Sequence, residues 1–118
     1  MEDAARLFQK IDAGEVQGFI AATTITNIYY IVRRTAGVKV AQDAIIQVLT
    51  DLHICPVERT ILEQAIALNF RDFEDAVQYA CGIAHGVDAV ITRDVSGFVD
   101  ALIPVMSPKE LNKILASE

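Results

Sequence analysis

Residues 72–94, Asp72-Phe-Glu-Asp-Ala-Val-Gln-Tyr-Ala-Cys-Gly-Ile-Ala-His-Gly-Val-Asp-Ala-Val-Ile-Thr-Arg-Asp94, leave few folds open to the chain. Phe73, Ala76, Val77, Ala80, Ile83 and Ala84 recur at helical spacing, which predicts one apolar helix face packed on a sheet. Asp72 is placed to cap that helix, with Asp75 at the third position, where the acid of a capping box belongs. Gly86 is a natural stop. Ala89-Val-Ile-Thr92 follows as a short apolar strand with Arg93 and Asp94 at its carboxyl end. In an open parallel sheet, functional groups gather at the carboxyl ends of strands. The stretch therefore predicts that Asp75 and Asp94 converge on one crevice.

The rest of the chain repeats this alternation. Ala4, Leu7, Phe8 and Ile11 mark a short amphipathic helix ending at Gly14. Gln17–Ala22 reads as a first strand, and Thr23 or Thr24 is placed to cap the next helix, Ile25 to Arg34. Ile25, Ile28, Tyr29 and Val32 form its core stripe, while Tyr30 shares a side with Asn27 and Arg34. Ala41, Ala44, Ile45, Val48, Leu49 and Leu52 mark a third helix. His53–Val57 is a short strand that Pro56 confines to an edge or strand end. Leu62, Ala65 and Ile66 mark a helix ending near Asn69. After Asp94 come a turn or short helix over 95–102, a last strand over 103–106, and a capping box, Ser107-Pro-Lys-Glu110, opening a final helix. Strands alternating with helices of about ten residues call for an α/β fold, a parallel sheet between helical layers.

At 118 residues the chain has room for one domain. Its hydrophobic content is 53% and its mean hydropathy +0.34, yet charges interrupt every apolar run well short of a membrane span. The net charge of −6 excludes a broad basic surface that grips nucleic acid unaided. It leaves open a site where a divalent ion mediates contact with phosphate. Cys55 and Cys81 lack motif spacing and sit in apolar surroundings, as reduced core thiols of a cytoplasmic protein would. His53 and His85 are isolated and read as structural, and no secretory signal opens the chain.

Taken singly, acids in the first turn of a helix cap free amides and favour its positive end, and an acid after a strand is an ordinary turn residue. The order of the pieces says more. Asp72-Phe-Glu-Asp-Ala-Val-Gln-Tyr-Ala, a helix, then Gly86-Val-Asp-Ala-Val-Ile-Thr-Arg-Asp-Val-Ser-Gly-Phe98 resembles the second half of a PIN domain. The segment Ala22-Thr-Thr-Ile-Thr-Asn-Ile-Tyr-Tyr-Ile-Val-Arg-Arg34 is similar to that family's first conserved helix. The resemblance implies a three-layer PIN-like fold over residues 1–118, with a parallel sheet flanked by helices. It also implies metal-dependent ribonuclease chemistry, in which carboxylates hold magnesium or manganese that polarises a phosphodiester and acidifies an attacking water. Hard ions take oxygen ligands, so the lack of a His/Cys cluster agrees with this.

Carried over by position, Asp75 and Asp94 are the expected catalytic and metal-binding acids, and Thr92 matches the threonine that precedes the second of them. Asn27, Thr92, Arg93 and Ser96 are the expected substrate-contacting residues; Asp72 and Glu74 are neighbours and are assigned no metal. Two departures stand out. The family's first strand, ending in Asp-Thr-Asn with a metal-binding aspartate, has no counterpart in this sequence, so the domain reads as N-terminally incomplete. Asn27 stands where the family's usual glutamate does, and an amide brings no negative charge to a dication. Of four expected acids two remain, which predicts weak metal binding and impaired catalysis. The gap in the sheet is expected to close by pairing of the flanking strands or by a strand from another chain, with a homodimer as one outcome. RNA or another nucleic acid and an antitoxin-like protein are the implied partners. A non-catalytic module that binds protein or RNA is the alternative; a phospho-accepting signalling domain lacks the early acidic pair and partner lysine it would need.

Overall fold

The computed structural model describes residues 2–92, 95–98 and 101–117. Its elements alternate much as the apolar periodicity predicts. Helix α1 spans Glu2–Asp12, strand β1 Phe19–Ala21, helix α2 Ala22–Ala36 and helix α3 Val38–Asp51. Strand β2 spans His53–Cys55, helix α4 Arg59–Leu68, helix α5 Phe73–Ala84 and strand β3 Val90–Ile91. A 3-10 turn at Val95–Gly97, strand β4 at Val105–Met106 and helix α6 at Pro108–Ala116 complete the α/β fold.

Local chemistry accounts for most boundaries. Asp72 accepts a hydrogen bond from the Asp75 backbone amide at 3.1 Å, and Gly86 adopts φ +65°, open to glycine at little cost, just past the end of α5. Ser107 and Glu110 form a complete capping box behind Pro108. At α2 the expected threonine cap does not form. Strand β1 runs straight into the helix, Ala21 holds the cap position in an extended conformation, and Thr23 already lies inside the first turn.

The strands are short and parallel, β1 with β2 in the register Phe19↔His53 to Ala21↔Cys55, and β3 with β4 in the register Val90↔Val105 and Ile91↔Met106. Among the described residues these remain two separate two-stranded sheets. The flanking strands of the expected gap, β1 and β3, therefore do not pair directly. Both nevertheless lie along α5. The Phe19 ring is 6.1 Å from that of His85 at the end of α5, and the Ala21 amide donates to Gln78 Oε1 at 2.7 Å two turns earlier. Strand β1 thus runs antiparallel to α5. Val90 packs near Gly82, and Gly97, beyond β3, lies near Asp75, so β3 runs antiparallel to α5 too. The two inner strands point the same way.

Helix α5 is the core of the molecule. Ala76, Val77, Ala80 and Cys81 are buried in one cluster with Ala21, Cys55 and Ala65, and Ile61, Leu68 and Phe70 pack around it. Tyr79 and Gly82 are buried as well, whereas Phe73, Ile83 and Ala84 are exposed. The single apolar stripe predicted for this helix is rotated, because α4 covers one side and an aromatic group covers another. On α4 the same rotation buries Ala65 and leaves Leu62 and Ile66 outside.

Candidate active site

The amino end of α5 gathers the acids. Asp72 caps the helix, and Glu74 and Asp75 follow in its first turn, half-buried at the positive end of the helix dipole. What brings a second segment to this point is an aromatic cluster. Phe70, Tyr79 and Phe98 meet with ring centroids 5.4 to 6.4 Å apart, and the Tyr79 hydroxyl accepts a hydrogen bond from the Leu102 amide at 2.5 Å. With Phe98 buried against α5, the turn that follows β3 has to cross the helix start. A methyl group placed on Gly97 would lie 3.5 Å from Asp75 Oδ2.

The expected site residues fall as follows. Asp75 faces the 3-10 turn. Thr92, just past β3, donates its amide to the Met106 carbonyl at 2.9 Å, which pins the strand end to β4. Ser96 is exposed within the turn. Asn27, exposed on α2, donates Nδ2 to Glu74 Oε2 at 2.6 Å and so joins α2 to the acidic helix start. Arg93 and Asp94 lie outside the described residues, as does any contact they make. Glu74, assigned no metal on the sequence, makes a contact that the sequence does not show. Its position beside Asp75 was visible, but its partner is 47 residues away, and no local spacing signals such a pair.

Among the described residues, no three His, Cys, Asp or Glu side chains converge closely enough to hold a metal ion. At that helix start Glu74 and Asp75 lie side by side in the first turn, and the Asn27 amide bonds Glu74. The two histidines stand apart and pack on one ring: His53 lies 5.0 Å from Phe19 and His85 6.1 Å from it. Cys55 and Cys81 are both free thiols buried in the core, and burial pushes Cys81 up to about 11. Neither points to catalysis. Among the described residues, no helix is long and apolar enough to cross a membrane.

Comparison with known proteins gives this arrangement a family. The family model described as PIN domain matches residues 1–96, which include Asn27, Glu74 and Asp75. A curated relative, Ribonuclease VapC1 of Aquifex aeolicus (strain VF5), is 32% identical over 91 residues, covering 73% of this chain. The matched part spans 62% of that relative's length. No solved structure matches the chain. With the family match running over most of its length, from α1 past β3, the chain belongs to the PIN domain family.

Proposed function

We propose that this PIN domain binds RNA and belongs functionally with the metal-dependent ribonucleases, with a metal site that its own acids only partly build. The observation that carries the reading is the meeting of Asp75 with the turn after β3, at the amino end of the buried helix. Support for the class comes from the family match and from a relative named as a ribonuclease. Support for impaired catalysis comes from Asn27, an uncharged amide that bonds Glu74 where the resemblance expects a carboxylate. Asp75 and Asp94 are the proposed metal-binding acids, for magnesium or manganese held weakly. Asn27, Thr92, Arg93 and Ser96 are the proposed substrate contacts.

The same reading treats residues 1–118 as parts of one PIN-like domain. The inner edges of β1 and β3, which point the same way without pairing among the described residues, are where the family's first strand would lie. A second copy of the chain or an antitoxin-like protein are the proposed partners, and the cytoplasm is the proposed compartment.

The test is cleavage of a structured RNA in manganese, beside a chelator control and Asp75→Asn. Slow cleavage lost in both controls is the expected result. Cleavage that survives the chelator or equals wild type in Asp75→Asn contradicts the assignment. Binding without any cleavage favours the alternative, a non-catalytic module on the same scaffold.

A further inference from the structure

Away from the acidic start of α5, the carboxyl end of α2 carries a group of exposed side chains. Tyr30, Arg33 and Arg34 line a surface hollow of about 260 Å³. Tyr30 is 52% exposed, its ring held edge-on against half-buried Tyr29 at 5.3 Å, so the phenol is presented outward by a fixed neighbour. Both arginines are exposed. The ion pairs among the described residues are Lys39–Asp43 and Arg59–Glu63, and neither involves Arg33 or Arg34. Among those residues, two adjacent guanidinium groups thus stand free of carboxylates on a chain of net charge −6. Cations at a helix end also complement its dipole, which accounts for their charge. That explanation leaves the outward tyrosine and the hollow between them without a reason.

The hollow and the acids are both reached from α2. Asn27, which bonds Glu74 beside Asp75, lies on the same side of α2 as Tyr30 and Arg34. At the helical rise, Arg34 is about 10 Å along the axis from Asn27. We propose that the Tyr30–Arg33–Arg34 hollow is a subsite for single-stranded RNA, in which Tyr30 stacks on a base and the two guanidinium groups hold the flanking phosphates. The strand then runs along α2 from this hollow past Asn27 to Asp75. Stacking suits any base, and guanidinium groups contact phosphate through paired donors, so the subsite positions a strand without reading its sequence. On a chain of net charge −6, two adjacent cations on one helix end make a local attraction for phosphate. The inference rests on the nucleic-acid reading above and is tested separately from cleavage.

The measurement is fluorescence anisotropy of a labelled oligouridylate with the full chain, in chelator so that no cleavage occurs, over a series of salt concentrations. Tyr30→Ala weakens binding about tenfold or more, and Tyr30→Phe keeps it, because the ring and not the hydroxyl does the stacking. Arg33→Gln with Arg34→Gln lowers the slope of log affinity against log salt by about 1.4, at about 0.7 for each phosphate that is no longer neutralised. Lys109→Gln on α6 leaves affinity and slope as in the wild type. All four positions are exposed, and far-ultraviolet circular dichroism confirms that each variant folds. Equal binding by wild type, Tyr30→Ala and the double arginine variant overturns the subsite, as does a wild-type chain that binds no oligouridylate but captures protein through this face. If Tyr30→Ala binds like wild type while manganese-dependent cleavage is present, the subsite fails and the nuclease reading stands. If cleavage is absent but the binding pattern holds, the reverse is true.

Discussion

Cys81 illustrates how far the core of this chain excludes water. Burial first, and then the neighbouring Cys55, pushes its thiol from the ordinary 9.0 up to about 11. A folded-state value above the unfolded one stabilises the fold fully below pH 9.0 and loses that contribution as pH rises through about 11. Since the thiolate is the nucleophile, Cys81 should resist iodoacetamide at pH 8 and become labelled only as fast as the chain opens. Rapid labelling of the native protein would contradict this placement. Gly97 is informative in the other direction. Its missing side chain leaves room against Asp75 Oδ2. Gly97→Asp should set two carboxylates side by side, lowering the melting temperature without metal and tightening manganese binding. Unchanged manganese affinity would show that the turn does not face the site. Asp75 could be read from its place in a helix start, whereas the Asn27–Glu74 hydrogen bond is a product of how α2 meets α5 and has no local signature.

At the scale of elements, capping and periodicity were the legible part. The Ser107–Glu110 box forms as written in the sequence, and it makes a clear pH prediction. The hydrogen bond from the Ser107 backbone amide is the main cause holding Glu110 below its ordinary 4.5, with the Ser107 side chain second. A lowered folded-state value means that the box stabilises α6 above pH 4.5 and fails as pH falls through the folded value. Fraying of α6 on acidification, followed by amide exchange at Leu111 and Asn112, should be matched at neutral pH by Ser107→Ala, which costs about 1 kcal/mol. Acid-insensitive exchange there would disprove the link. Less legible was where short strands stop and which way helices turn. Periodicity put Ile83 and Ile66 toward the core, but α5 is enclosed by α4, β1 and an aromatic cluster, and contact from several sides overrides a single stripe. The strand edge of β1 was equally hidden: its Ala21 amide is satisfied by a side chain, Gln78. Gln78→Ala leaves that part-buried amide unpaired and should cost about 1–3 kcal/mol in urea unfolding. A loss below measurement error would mean that another acceptor takes over.

On the scale of the whole molecule, one helix does most of the organising. Helix α5 joins the two strand pairs, buries the small residues of the core, and points its acidic start at the turn after β3. The close approach that Ala76 and Ala80 permit makes the fold sensitive to volume, and Ala80→Leu should destabilise it by about 1–3 kcal/mol or more. The α/β class follows from alternation, and the approach of Asp75 to the turn after β3 follows from acids at the ends of elements. The division into two strand pairs did not, because hydrophobic runs of a few residues say that strands exist and not which of them pair. The central claim is that these acids form an incomplete metal site at the start of α5. Manganese binding to the chain, followed by electron paramagnetic resonance, tests it most directly. The account predicts a dissociation constant no tighter than about 10⁻⁴ M, with even that binding removed by Asp75→Asn. One ion held tightly by the chain alone, or binding indifferent to Asp75, would contradict it.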